Sequence, residues 1–287
     1  MKRVKKLISV LLTVALVLTV VPFGELGLSV AAANGTTGDC TWKIENGVLT
    51  ISGNGEMGDD SPWYRSYRNK ITTVVIENGV TSIGGSAFND CYNLSKITVS
   101  DSVTRIGGMA FEDCSSLCSI TIPNSVNVIG AYAFRGCNKL KSISIPFGVT
   151  DVYDYTFLEC SSLTSVTLPN SIKSIEPYTF YGCSNLSNVT IPIGVTSIGD
   201  GAFLDCSSLY SVEMPNSITS IGKESFKNCS NLNEINIPNS IESLGEGTFW
   251  NCSSLSTFII PKGVTSIEYR SFEGCSGLCR LSSISRL

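Results

Sequence analysis

The sequence predicts a repeat solenoid, mainly β with short helical turns, in which nine 23-residue coils follow a β-rich N-terminal cap. Three observations predict it. The first is the period: from Val80 onward a 23-residue unit recurs nine times without insertion. The second is the identity of the inward positions, with Phe at 88, 111, 134, 157, 180, 203, 226, 249 and 272, and Cys three residues after each. The third is a Leu-x-x-Ile-x-Ile-Pro segment that runs through most units, as at Leu140, Ile143, Ile145 and Pro146. One unit cannot bury its own apolar face. Stacked units bury it continuously, with like residues over like residues.

The elements follow in chain order. Lys2, Arg3, Lys5 and Lys6 precede an uncharged, mostly apolar run from Leu7 to Val21, and Ala31-Ala32-Ala33 offers a small-residue cleavage site. This three-part pattern predicts a signal peptide over 1–33, and the run is too short to span a bilayer. Residues 34–79 form the cap. Residues 80–278 form the solenoid. Within each coil, the alternating apolar residues before the Pro predict a short strand, and the Pro ends it because it has no N–H to add to a ladder. Val-Thr-x-Ile-Gly predicts a second extended stretch. Ala-Phe-x-x-Cys is expected to form a single tight helical turn with Phe and Cys inward. Residues 279–287 break the pattern with Cys279-Arg280-Leu281-Ser282-Ser283 and are expected to be an irregular, truncated end.

Composition narrows the chemistry. The chain has 287 residues, 43% of them hydrophobic, and no histidine. Ser-His and Cys-His nucleophile pairs and His-ligated metals are therefore excluded. Without residues 1–33, which hold four basic residues and Glu25, 16 basic and 23 acidic residues remain, a net charge of −7. No basic stripe is left for nucleic acid or an anionic membrane.

Nine of the twelve cysteines share one repeat position between Phe and Leu, which predicts a reduced core ladder rather than a disulfide framework. Cys118 and Cys279 fall at a variable, polar position and are expected to face outward. The Cys-x-x-x-Cys pairs 114/118 and 275/279 bring no further ligands with them, so no metal and no cofactor is expected. Asp59 and Asp60 are adjacent carboxylates in a loop, a pattern that caps turns more often than it cleaves glycosides. Asp90, Asp113, Glu159 and Asp205 share one register that Gly136, Gly182, Asn228, Asn251 and Gly274 interrupt, and this reads as loop solvation.

Aromatic residues supply the candidate binding face. Tyr132, Tyr155 and Tyr178 occupy one non-core position in three successive coils, so stacking places them in a row; Tyr181 lies close in sequence and Tyr210 follows toward the strand side. Such a row either grips a partner or shields the seams between coils. Outward residues of the strands are mostly hydroxyls, among them Ser119, Thr121, Ser142, Ser144, Ser165 and Thr167, a polar platform for protein or glycan.

The units read Val-Thr-x-Ile-Gly-x-x-Ala-Phe-x-x-Cys-x-x-Leu-x-x-Ile-x-Ile-Pro, and they resemble the BspA-like leucine-rich repeat family of microbial surface proteins. Leu49-Thr50-Ile51-Ser52-Gly53 and Ser61-Pro62-Trp63-Tyr64 resemble the cap that precedes such repeats. The resemblance covers about residues 40–278. It implies a leucine-rich repeat solenoid that is secreted or displayed at the cell surface and binds or adheres to extracellular protein or glycan; the missing histidine and the near-identical units speak against any catalytic residue. The alternative is a structural protein that associates with itself end to end through an uncapped last coil.

Overall fold

The computed structural model describes residues 32–59 and 61–283. The predicted leader lies outside the described residues up to Ala31, as do Asp60 and residues 284–287. Ala33, the last residue of that leader, already opens the first strand, Ala33–Thr37, where it pairs with Ile44.

The chain forms a β-solenoid. Its cap is a meander of Ala33–Thr37, Cys40–Glu45 and Val48–Gly53, each antiparallel to the next. Cys40, Trp42 and Ile44 alternate inward along the middle strand, as period-two patterning requires. Val48–Gly53 then turns from hairpin to ladder, because Thr73–Ile76 adds to it in parallel and Lys96–Val99 adds to that. Coil stacking therefore begins inside residues 34–79. A one-turn helix, Tyr64–Tyr67, follows Trp63. It is the only helix among the described residues, and none of them forms a helix long and apolar enough to cross a membrane.

Each coil has three sides. On the first, the Ile-x-Ile segments pair in parallel at an offset of one repeat, as in Ser142–Ser144 against Ser165–Thr167 and Asn188–Thr190 against Ser211–Glu213. On the second, the Val-Thr-x-Ile segments do the same, as in Arg105–Ile106 against Val128–Ile129 and Ser174–Ile175 against Ser197–Ile198. Both ladders are interrupted. Residues 119–122 take no strand pairing between Lys96–Val99 and Ser142–Ser144.

The third side differs from the expected helical turn. Ala-Phe-x-x-Cys is a run of tight turns that sends three backbone bonds to the next coil: Ser86 N–H donates to Gly108 O, Phe88 to Ala110 and Asp90 to Glu112. The same trio recurs at every junction through to Gly247, Phe249 and Asn251, which donate to Tyr269, Ser271 and Glu273. A helix would spend these N–H groups within its own coil. Residues with left-handed φ, such as Ser86 (54°) and Asp90 (57°), turn them outward along the stack instead.

The core is a set of ladders. Phe88 through Phe249 are fully buried and stack ring on ring, with centroids 5.6 Å apart and planes 7° from parallel for Phe157 and Phe180. Trp63 extends this spine into the cap, 5.9 Å from Phe88, and its indole N–H donates to Ala87 O. Beside the spine each thiol of the repeat column from Cys114 to Cys275, which excludes Cys118, donates to the carbonyl of the Phe in the preceding coil, as Cys160 Sγ does to Phe134 O at 3.1 Å. All twelve cysteines are free in the structure, and Cys118 and Cys279 are exposed.

The end of the chain corrects one expectation. Arg280–Ser283 is a strand, parallel to Thr257–Ile260, with Leu281 opposite Phe258. Leu281 stands at the first Ile position of the repeat, and the ladder needs only backbone groups, so the changed side chains do not prevent pairing. In this last coil Phe272, Cys275 and Leu278 are only partly buried.

Candidate binding face

The third side carries two columns of mostly half-buried residues. One holds Ser86, Met109, Tyr132, Tyr155, Tyr178, Gly201, Glu224, Gly247 and Arg270, and every member has a left-handed φ between 52° and 59° or is a glycine near 60°. The other lies three residues later and includes Glu112, Arg135, Leu158, Tyr181, Lys227 and Trp250. A left-handed φ costs a residue with a Cβ about 1–2 kcal/mol, which is why glycine takes two places in the first column.

The column of Asp90, Asp113, Gly136, Glu159, Gly182, Asp205, Asn228, Asn251 and Gly274 is also left-handed throughout. Eight of its nine places hold Asp, Asn or Gly, the residues that tolerate this conformation, and Glu159 is the exception. The loop solvation read from the sequence was thus a backbone requirement. The tyrosine column departs from that preference in seven of its nine coils, three of them the successive tyrosines.

Those three tyrosines are brought together. Tyr132 and Tyr155 stack with centroids 4.6 Å apart and planes 5° from parallel; Tyr155 and Tyr178 stack at 5.1 Å and 8°. Backbone bonds hold the spacing, with Tyr132 N–H on Asp154 O and Tyr178 N–H on Asp200 O. Tyr181 meets Tyr178 edge-on at 6.2 Å. The row ends on Gly201, because the ring of Tyr178 lies where a Cβ would stand, 2.4 Å from a ring carbon. Tyr210 is not part of it. It sits just before Ser211–Glu213 on the strand side, 55% exposed, and its hydroxyl accepts from Asn233.

Stacking covers the inner ring faces and leaves edges and hydroxyls outward. Among the described residues, the hydroxyls of Tyr132, Tyr155, Tyr178 and Tyr181 make no hydrogen bond, whereas those of Tyr64 and Tyr92 both donate to Asp90. Partial burial raises the Tyr132 and Tyr178 phenols above their usual range, and the neighbouring Tyr155 adds to this. They therefore remain protonated donors at neutral pH.

Polar contacts bracket the row. Arg135 is paired with Glu112 at 2.5 Å, and Glu112 also accepts from Asn89. Farther along the same columns, Trp250 is sandwiched by Lys227 at 4.0 Å and Arg270 at 4.7 Å, an arrangement sequence reading missed because the partners lie one coil apart. On the strand side the interrupted ladder leaves a groove of about 590 Å³ lined by Ser119, Thr121, Ser142, Ser144, Ser165 and Thr167. Asp59 accepts from Gly85 N–H, so it ties the cap to the first coil. No group of three or more acidic or thiol side chains that could hold a metal ion occurs among the described residues.

Comparison with known proteins agrees with this architecture. The profile of the BspA type leucine rich repeat region matches residues 64–163 and 150–279 in six copies. A leucine-rich repeat protein from Eubacterium ventriosum has a crystal structure similar to this chain, with 27% identity, a TM-score of 0.53, and coverage of 87% of this chain and 85% of that one. A leucine rich cell surface protein from Faecalibacterium prausnitzii is 26% identical over 88% of this chain and 95% of that one, with a TM-score of 0.46. No curated protein matches the chain.

Proposed function

Since the chain belongs to the BspA-type leucine-rich repeat family, we propose that it is a secreted or surface-displayed binding protein without catalytic activity, and that its tyrosine face engages an extracellular protein or glycan. The observation that carries this reading is the stacked row itself. Tyr132, Tyr155 and Tyr178 lie ring on ring along one side of three successive coils. Other coils hold Ser86, Met109, Glu224 or Arg270 in the same left-handed backbone, so the fold does not call for an aromatic side chain there. The row also keeps its hydroxyls unspent and its rings rigid, so a partner gains contact area at little entropic cost. The basic and apolar N-terminal pattern supports export. The absence of histidine and the near-identity of the coils support binding over catalysis, because an active site needs a unique constellation.

The test replaces Tyr132, Tyr155 and Tyr178 together by glycine. Each replacement relieves about 1–2 kcal/mol of backbone strain and forfeits about 1 kcal/mol of ring stacking, so stability should change little. Saturable binding to an array of extracellular proteins and glycans should be lost while the thermal transition stays in place. Undiminished binding by the triple variant would remove the tyrosine face as the site, and Tyr210→Ser with the strand-side groove would become the next target.

A further inference from the structure

The charge around the tyrosine row is not evenly shared along the solenoid. Residues 149–206, which carry Tyr155, Tyr178 and Tyr181, contain six acidic residues and a single base, Lys173. All six acids fall on the second and third sides of their coils, and none falls on the strand side. Two of them abut the row through the backbone bonds already described, since Asp154 is the acceptor for Tyr132 and Asp200 for Tyr178. Glu159 and Asp205 stand four residues beyond the tyrosine column, in the next left-handed column of the same side. None of these four carboxylates is in an ion pair among the described residues, although Asp200 accepts from the Lys223 amide and Asp205 from the Asn228 side chain, both neutral donors. The two cations nearest the row are already engaged, Arg135 by Glu112 and Lys227 by Glu224. The row is thus a strip of phenol edges and hydroxyls between unneutralised carboxylates.

Building on the tyrosine face as the binding site, we propose that its partner is a cationic polypeptide segment, whose Lys and Arg side chains lie along the row between Asp154 and Asp200 on one flank and Glu159 and Asp205 on the other. Ammonium and guanidinium groups have only donors, and the face offers phenol and carboxylate acceptors to them. Burying each unpaired carboxylate under a neutral sugar would cost desolvation with no charge returned, whereas a cation returns it. Because stacking has closed the inner ring faces, the row cannot offer them to the flat face of a pyranose. A side chain approaching the edges meets no such obstacle.

The experiment uses the full chain lacking its leader, immobilised, with three soluble probes: a Lys/Arg-rich synthetic peptide, the same peptide with Glu at each basic position, and a set of neutral oligosaccharides. The basic peptide should bind saturably and the other two should not. Asp154→Asn with Glu159→Gln and Asp200→Asn should weaken it about tenfold, the combined weight of a few exposed charge contacts. Asp101→Asn with Glu234→Gln and Glu242→Gln, the same charge change elsewhere, should leave it unaltered. Equal weakening by both sets would reduce the effect to overall charge and overturn the proposal. If neutral oligosaccharides bind instead, and the triple glycine variant abolishes that binding, the cationic partner falls while the tyrosine face stands. If no probe is affected by the triple glycine variant, the face itself falls.

Discussion

At the residue scale, the thiol ladder couples a single kind of side chain to the stability of the whole stack. Burial pushes the Cys91 and Cys160 thiols up to about 12, and raises those between them and beyond them as well. In the unfolded chain a thiol ionises near its ordinary value of 9.0. Above that pH the unfolded chain gives up protons that the folded ladder keeps. The stabilisation is therefore complete below about pH 9 and is lost as pH rises through about 12. The melting temperature should fall steadily on titration above about pH 9, and the double variant Cys160→Ala with Cys183→Ala should show a shallower fall. A melting temperature that does not change over this range would contradict the buried, protonated ladder. The identity of this column was readable from sequence, since Cys recurs between Phe and Leu. Its bond to the Phe carbonyl of the preceding coil was not, because the donor and acceptor lie 26 residues apart.

At the element scale, coil spacing on the second side depends on glycine. A Cβ at Gly130 would stand 2.5 Å from the Gly108 amide, and one at Gly199 would stand 2.5 Å from Pro177 N. Tyr153, Glu176 and Glu268 stand at this position in the other coils; the ladder thins to one isolated bridge, Ile129 to Val152, beside Tyr153, but Ser243–Leu244 still pairs with Ser266–Ile267 beside Glu268. Gly130→Ala should accordingly force neighbouring coils apart and cost about 1–3 kcal/mol, as overpacking does, in urea-induced unfolding. An alanine variant as stable as the parent would show that spacing is set elsewhere. The sequence showed Gly recurring after Ile but gave no reason for it; the reason is contact with a backbone one repeat away.

At the scale of the whole molecule, each coil touches only its neighbours, so stability is a sum over junctions. Excising residues 195–217, one full repeat, should leave a folded and somewhat less stable protein by circular dichroism, whereas excising 195–216 should abolish cooperative unfolding, because a one-residue slip turns the inward set outward. What the sequence determined by itself was the period, the inward columns and the strand on the first side. These are legible because the same burial problem is solved nine times and the solution is written each time in side-chain polarity. Only the tertiary structure decided the third ladder, the left-handed columns, the pairing of residues after Cys279 and the stacking of Tyr132, Tyr155 and Tyr178. Each of these depends on where a backbone group or ring in one coil meets its counterpart 22 or 23 residues later, a relation that polarity within a single coil does not encode.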